Sequence, residues 1–98
     1  MDREVLTYFF SCYFHQDWFL DYGSYDQAVI NFCNSEDQAK VENLVQSINE
    51  LLLSNEYTEK TPLEYGGYIK VSAFDLSVSE WLNKILEVID SNESIGSD

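Results

Sequence analysis

Four side chains near the N-terminus have the types that do chemistry: Cys12, His15, Asp17 and Asp21. A cysteine beside a histidine can act as nucleophile and general base. Cys12 precedes His15 by three positions, so a helix would make them neighbours. Asp17 follows His15 by two, so the same helix would turn it away. The pair lies in the most apolar stretch of the chain, where a thiol is kept protonated. His15 is the only histidine and neither Cys12 nor Cys33 sits in a CxxC motif, so further metal ligands are not supplied locally. Gly66-Gly67 has neither the spacing nor the lysine of a phosphate-binding loop. These residues read best as structural, with His15 hydrogen-bonded near the end of a first helix and Cys12 packed inside. No catalytic, cofactor-binding or metal-binding residue is assigned.

Asp17 and Asp21, at i,i+4, are a paired-carboxylate candidate for acid–base work or cation binding. Such pairs are more often solvated, capping or salt-bridging. With Asp26 they would form an acidic face beside Tyr22 and Tyr25. A second group of the same kind is Glu64, Tyr65 and Tyr68. Tyrosines beside acids suit a surface that docks an Arg- or Lys-rich partner. These eight residues are the candidate partner-binding set.

The elements that must position them are helical. Arg3 to about Gln16 carries Val5, Leu6, Phe9, Phe10, Tyr13 and Phe14 at three- and four-residue spacing, with Asp2 as a cap. A helix this apolar is expected to be central and covered on several sides. The stretch Tyr8 to Tyr25 holds nine of the fifteen aromatic residues, so the packing energy concentrates there. Trp18 to Tyr22 predicts a bend or one extra turn, stopped by Gly23. Ser24, Ser35 and Ser77 each open a capping-box pattern, predicting helices after each. The helix after Ser35 presents Val41, Leu44, Val45, Ile48, Leu51 and Leu52 on one face and ends at Ser54-Asn55. The last helix carries Val78, Trp81, Leu82, Ile85, Leu86 and Ile89. Between them, Thr61-Pro62 starts a short helix that Gly66-Gly67 stops. Tyr68 to Phe74 has strand composition without a partner strand, so it predicts an extended segment on the helices or an edge open to another chain.

At 98 residues there is room for one core, and 45% hydrophobic content argues against disorder. No apolar run is long enough for a membrane span, and no cleavage site follows the N-terminus, so a cytoplasmic protein is expected. Both cysteines are then expected to be buried thiols. The formal net charge is −13. That field repels nucleic acid and anionic lipid, and it steers basic protein surfaces inward.

Tyr13-Phe14-His15-Gln16-Asp17-Trp18, followed by Tyr22-Gly23 and an acidic, apolar helix, resembles the immunity proteins of contact-dependent growth inhibition (the CdiI type). Ser79-Glu80-Trp81-Leu82 is a second point of likeness. The likeness runs from about Leu6 to Ile89 and is weakest over Glu56 to Leu76. The resemblance implies a non-enzymatic protein that binds the C-terminal toxin domain of a cognate effector (the CdiA C-terminal type). Many toxins of the wider class are nucleases, whose basic active sites an acidic inhibitor would block.

The expected architecture is therefore mainly α: a small single-domain bundle of about four helices with a short extended or irregular segment before the last helix. The domain is expected over residues 1–90, with a flexible acidic tail over 91–98, no cofactor and a monomeric state. The alternatives are an acidic nucleic-acid mimic or adaptor that binds an endogenous basic protein, and a small enzyme using Cys12 and His15.

Overall fold

The most apolar segment, α1 (Arg3–Tyr13), begins on a cap that also anchors it. The computed structural model describes residues 2–96. Asp2 Oδ1 accepts the N–H groups of Glu4 and Val5 at 2.9 and 3.2 Å, satisfying two orphan donors of the first turn. Its other oxygen accepts from Asn43 at 2.6 Å, and the Asp2 N–H donates to buried Ser47 Oγ at 3.1 Å. Asn43 and Ser47 belong to α4 (Gln38–Ser54), so one residue both starts α1 and seats it on a second helix.

α1 ends at Tyr13, earlier than the periodicity predicts. Phe14 leaves the helical region at φ −124°, ψ 40°, and its carbonyl accepts the Tyr68 N–H at 2.7 Å. Near a helix end such a carbonyl has no partner within the helix, and Tyr68 supplies one. α2 (Trp18–Tyr22) is the expected single extra turn. Gly23, at φ 81°, closes it by donating to the Phe19 carbonyl, a conformation that a side chain would disfavour.

α3 (Tyr25–Ser35) is capped by Ser24, whose Oγ accepts the Gln27 N–H as expected. The next cap differs from expectation. Ser35 stays in α3, Glu36 turns the chain, and Asp37 caps α4 by accepting the Lys40 N–H at 2.8 Å. Glu36 lies outside α4's first turn because two tyrosines hold its side chain (below). α4 ends at Asn55, in the left-handed conformation that asparagine tolerates.

α5 (Thr61–Glu64) is one turn long with Pro62 in its first positions. Gly67 follows, where an added Cβ would stand 3.0 Å from the Pro62 carbonyl and 3.3 Å from the Phe10 side chain. Only glycine lets the chain approach α1 so closely. The segment 68–74 forms no strand; among the described residues there is none. Instead Ile69 and Val71 are buried singly on the helices, and Val71–Phe74 forms a 3₁₀ turn. Its strand-like composition serves burial, because no second strand offers a ladder. α6 (Val78–Gly96) opens on a reciprocal capping box. Ser77 Oγ accepts the Glu80 N–H, and Glu80 accepts the Ser77 N–H. Its backbone stays helical through most of the segment 91–98 assigned above to a flexible tail. The last two residues of that segment lie outside the described residues.

The core is the meeting of aromatic rings around α1. Phe9, Phe10, Phe14, Phe32 and Trp81 are fully buried. Phe9 meets Phe32, Phe10 and Phe14 edge-on at 5.1–5.3 Å between centroids, and Phe14 meets Trp81 at 5.4 Å. Each such pair is worth about 0.5–1.5 kcal/mol beyond the area it buries. α3 and α6 close the bundle with Ala28, Val29, Leu82, Ile85 and Ile89. Phe9→Ala should therefore cost about 3–5 kcal/mol, a large part of the roughly 5–15 kcal/mol a domain has. Urea denaturation followed by tryptophan fluorescence measures it. A loss below 1 kcal/mol would contradict the central placement of Phe9.

Candidate functional site

His15 sits just past α1, in the link to α2, and both its ring nitrogens are engaged. Nδ1 accepts the Asp17 N–H at 3.1 Å, and Nε2 faces Asp21 Oδ2 at 2.9 Å. A neutral imidazole protonated at Nε2 satisfies both contacts. The side chain is thus a brace that holds the α2 turn, as the hydrogen-bonding expectation for His15 requires. Cys12 departs from expectation: it is exposed, because the inward stripe of α1 passes through Phe9, Phe10, Tyr13 and Phe14 instead. Cys33 is half-buried, and among the described residues neither cysteine forms a disulfide. With its nitrogens committed to Asp17 and Asp21, His15 is not poised to take a proton from Cys12. Among the described residues, no group of three or more His, Cys, Asp or Glu side chains could hold a metal ion.

The brace presents a surface. Trp18 is buried and anchors α2, its ring tilted against Phe14 at 5.4 Å between centroids. The rest of α2 points outward: Phe19 is 60% exposed and Leu20 83%. Asp17 and Asp21 are exposed beside them, and Asp26 is exposed in the first turn of α3. Tyr22 and Tyr25 are only half-exposed. Tyr22 stacks on Tyr13 at 6.0 Å, and Tyr25 meets Phe74 at 5.3 Å. Phe19 and Leu20 were not among the candidate contact residues, because the sequence marks their stretch only as a bend or one extra turn. Only the tight turn at Gly23, with Trp18 taking the inward position, exposes them.

The second predicted group divides. Tyr65 stacks on buried Phe10 at 6.0 Å and is half-covered, so it is largely structural. Glu64 is exposed, and Tyr68 is 60% exposed with exposed Leu63 nearby in the chain. A groove of about 570 Å³ runs past Leu63 and Tyr68 to the start of α6.

A further cluster has no sequence signal beyond the Glu36–Lys40 spacing. Glu36 Oε2 accepts from Tyr8 Oη at 2.8 Å and Tyr13 Oη at 2.7 Å. Its Oε1 lies 3.4 Å from Lys40 Nζ, which also sits 4.1 Å above the Tyr8 ring. Burial pushes the Glu36 carboxyl up, but the hydrogen bonds from Tyr13, Tyr8 and Lys40 outweigh it and leave it below its ordinary value. Burial, and then the same hydrogen bond, raise the Tyr13 hydroxyl. The cluster ties α1 to the α3–α4 corner.

The arrangement defines a class: a small helical protein with exposed acidic and aromatic side chains around the α2 turn. Residues 3–89 match the CdiI immunity protein family. The chain belongs to that family, the immunity proteins of contact-dependent growth inhibition. No curated protein and no solved structure matches it. Among the described residues no helix is long and apolar enough to cross a membrane.

The Glu36 cluster has a pH signature. A carboxyl whose folded value is lowered contributes stability that is complete above its unfolded value near 4.5 and is lost as pH falls through the folded value. Glu36→Gln should cost roughly 1–3 kcal/mol at neutral pH, since hydrogen bonds to a charged acceptor are lost. The gap in melting temperature between the native chain and this variant should close on acidification below about 4.5. Thermal melts from neutral to acid pH read it; a gap that widens in acid would contradict the assignment.

Proposed function

We propose that this protein neutralises the C-terminal toxin domain of its cognate effector by one-to-one binding in the cytoplasm, and that the toxin is a nuclease. Family membership supports an immunity role. The observation that carries the finer reading is the α2 turn. Phe19 and Leu20 stand exposed in the chain between Asp17 and Asp21, with exposed Asp26 following at the start of α3, on a chain of net charge −13. Apolar anchors within a charged rim are the anatomy of a tight protein interface. A nuclease must hold a polyanion, so its active site is basic. An acidic surface is drawn to such a site and denies it to substrate by charge and bulk. Tyr22, stacked on Tyr13, holds the end of the α2 turn, and half-exposed Tyr25 widens the contact at its edge. The protein works by occupancy, without chemistry of its own.

Co-expression with the toxin domain encoded immediately upstream tests this reading, with growth rescue and a copurifying one-to-one complex as the expected result. No rescue would favour an acidic adaptor for an endogenous basic protein. The kinetics should separate the two parts of the surface. Replacing Asp17, Asp21 and Asp26 by Asn should slow association by about tenfold at low salt and flatten its ionic-strength dependence. Phe19→Ala with Leu20→Ala should instead speed dissociation by about tenfold or more. Cys12→Ser should leave neutralisation unchanged; a loss with normal folding would return the thiol to consideration.

A further inference from the structure

The groove beside α5 differs in charge from the rest of the molecule. The chain has five basic residues against eighteen acids, and two of the five, Lys60 and Lys70, line this groove. Lys40 is engaged by Glu36 and the Tyr8 ring, whereas Lys60 and Lys70 make no ion pair among the described residues. One acid, Glu59, lines the same space. The wall is apolar: Ile69, Val71 and Val78 are buried along it, and Leu63 (61%) and Tyr68 (60%) stand exposed at its edge. At about 570 Å³ it is large enough for one or two side chains of a partner. Its backbone is settled, because the Tyr68 N–H is spent on Phe14 and Gly67 is pressed against Phe10.

Two lysines facing a uniformly basic partner would be repelled, so they do not suit the contact assigned to α2. They suit a carboxylate. We infer that this groove seats a short segment of the toxin domain carrying an apolar side chain next to one or two carboxylates. The apolar side chain packs on Leu63, Tyr68 and Val71, and Lys60 and Lys70 receive the acid. The inference rests on the toxin-binding reading above and adds a second anchor of opposite charge. Paired patches of opposite sign fix orientation, because a partner docked the wrong way sets like charges together. The acidic α2 surface then governs encounter with the toxin, and the groove governs register and residence.

The test compares the native chain, Lys60→Glu with Lys70→Glu, and Leu63→Ala with Tyr68→Ala, each against the upstream-encoded toxin domain by stopped-flow or surface-based kinetics. All four positions are exposed, and thermal melts verify that the variants fold. Both double variants should weaken the complex by about tenfold or more, chiefly through faster dissociation. The lysine pair is decisive because its sign is opposed by the competing account. If the groove only borders a basic toxin, adding four units of negative charge should tighten binding or leave it unchanged, and either result overturns the inference. Native binding with unaffected groove variants removes the groove alone. Absence of binding by the native chain removes the toxin-binding reading and this inference together.

Discussion

The structure depends on covering the broad aromatic face of one helix. α1 places Val5, Leu6, Phe9, Phe10 and Tyr13 at buried positions over eleven residues, and Phe14 follows at once. No single neighbour can bury such a surface. α4 covers one side, α3 and α6 bring Phe32 and Trp81 against the rings, and the α5 region closes the remainder through Gly67 and Tyr65. The edge-on meetings of Phe9 with Phe10, Phe14 and Phe32 make the arrangement specific as well as apolar, since a positive ring edge meets a negative face. Even the Trp81 indole N–H is buried without a hydrogen-bond partner, a cost the surrounding ring contacts offset.

Polar groups then fix the register of that packing. Asp2 and Glu36 lie at opposite ends of the α1–α4 contact, and each joins elements far apart in sequence. Both are acids that do local and long-range work at once. Asp2 caps a helix and binds α4, while Glu36 turns the chain and gathers two tyrosines and a lysine. Other acids, such as Asp17 and Asp26, stand exposed to solvent.

The division of labour at α2 follows from the same packing. Trp18 is drawn into the ring cluster, His15 braces the turn by bonding Asp17 and Asp21, and Gly23 ends it after five residues. A helix that short cannot bury both faces, so Phe19 and Leu20 stay in water. Exposed apolar side chains in a domain with so full a core are conspicuous, and their place beside acids suits a contact surface within the immunity family to which the chain belongs.

The helical class was legible in the sequence, as were the cap at Asp2, the reciprocal box at Ser77, the stop at Gly23 and the inward stripes of α1, α4 and α6. Each depends on side chains a few residues apart, and local spacing is sequence information. The family was legible too, through the run from Tyr13 to Trp18 and the pair Glu80-Trp81. Tertiary structure decided what depended on distant partners. α1 stopped at Tyr13, and the distant Tyr68 N–H took up the Phe14 carbonyl. Glu36 was held by Tyr8 and Tyr13, so Asp37 became the cap expected of Ser35. Cys12 was left outside because larger rings filled the core. The segment 68–74 took a 3₁₀ turn because a strand needs a partner and the helices offered pockets. Of the candidate contact residues, tertiary packing turned Tyr65 toward Phe10 and put Phe19 and Leu20 into solvent. Spacing along the chain cannot state which side of a short turn faces the core, because that side is set by what packs against it.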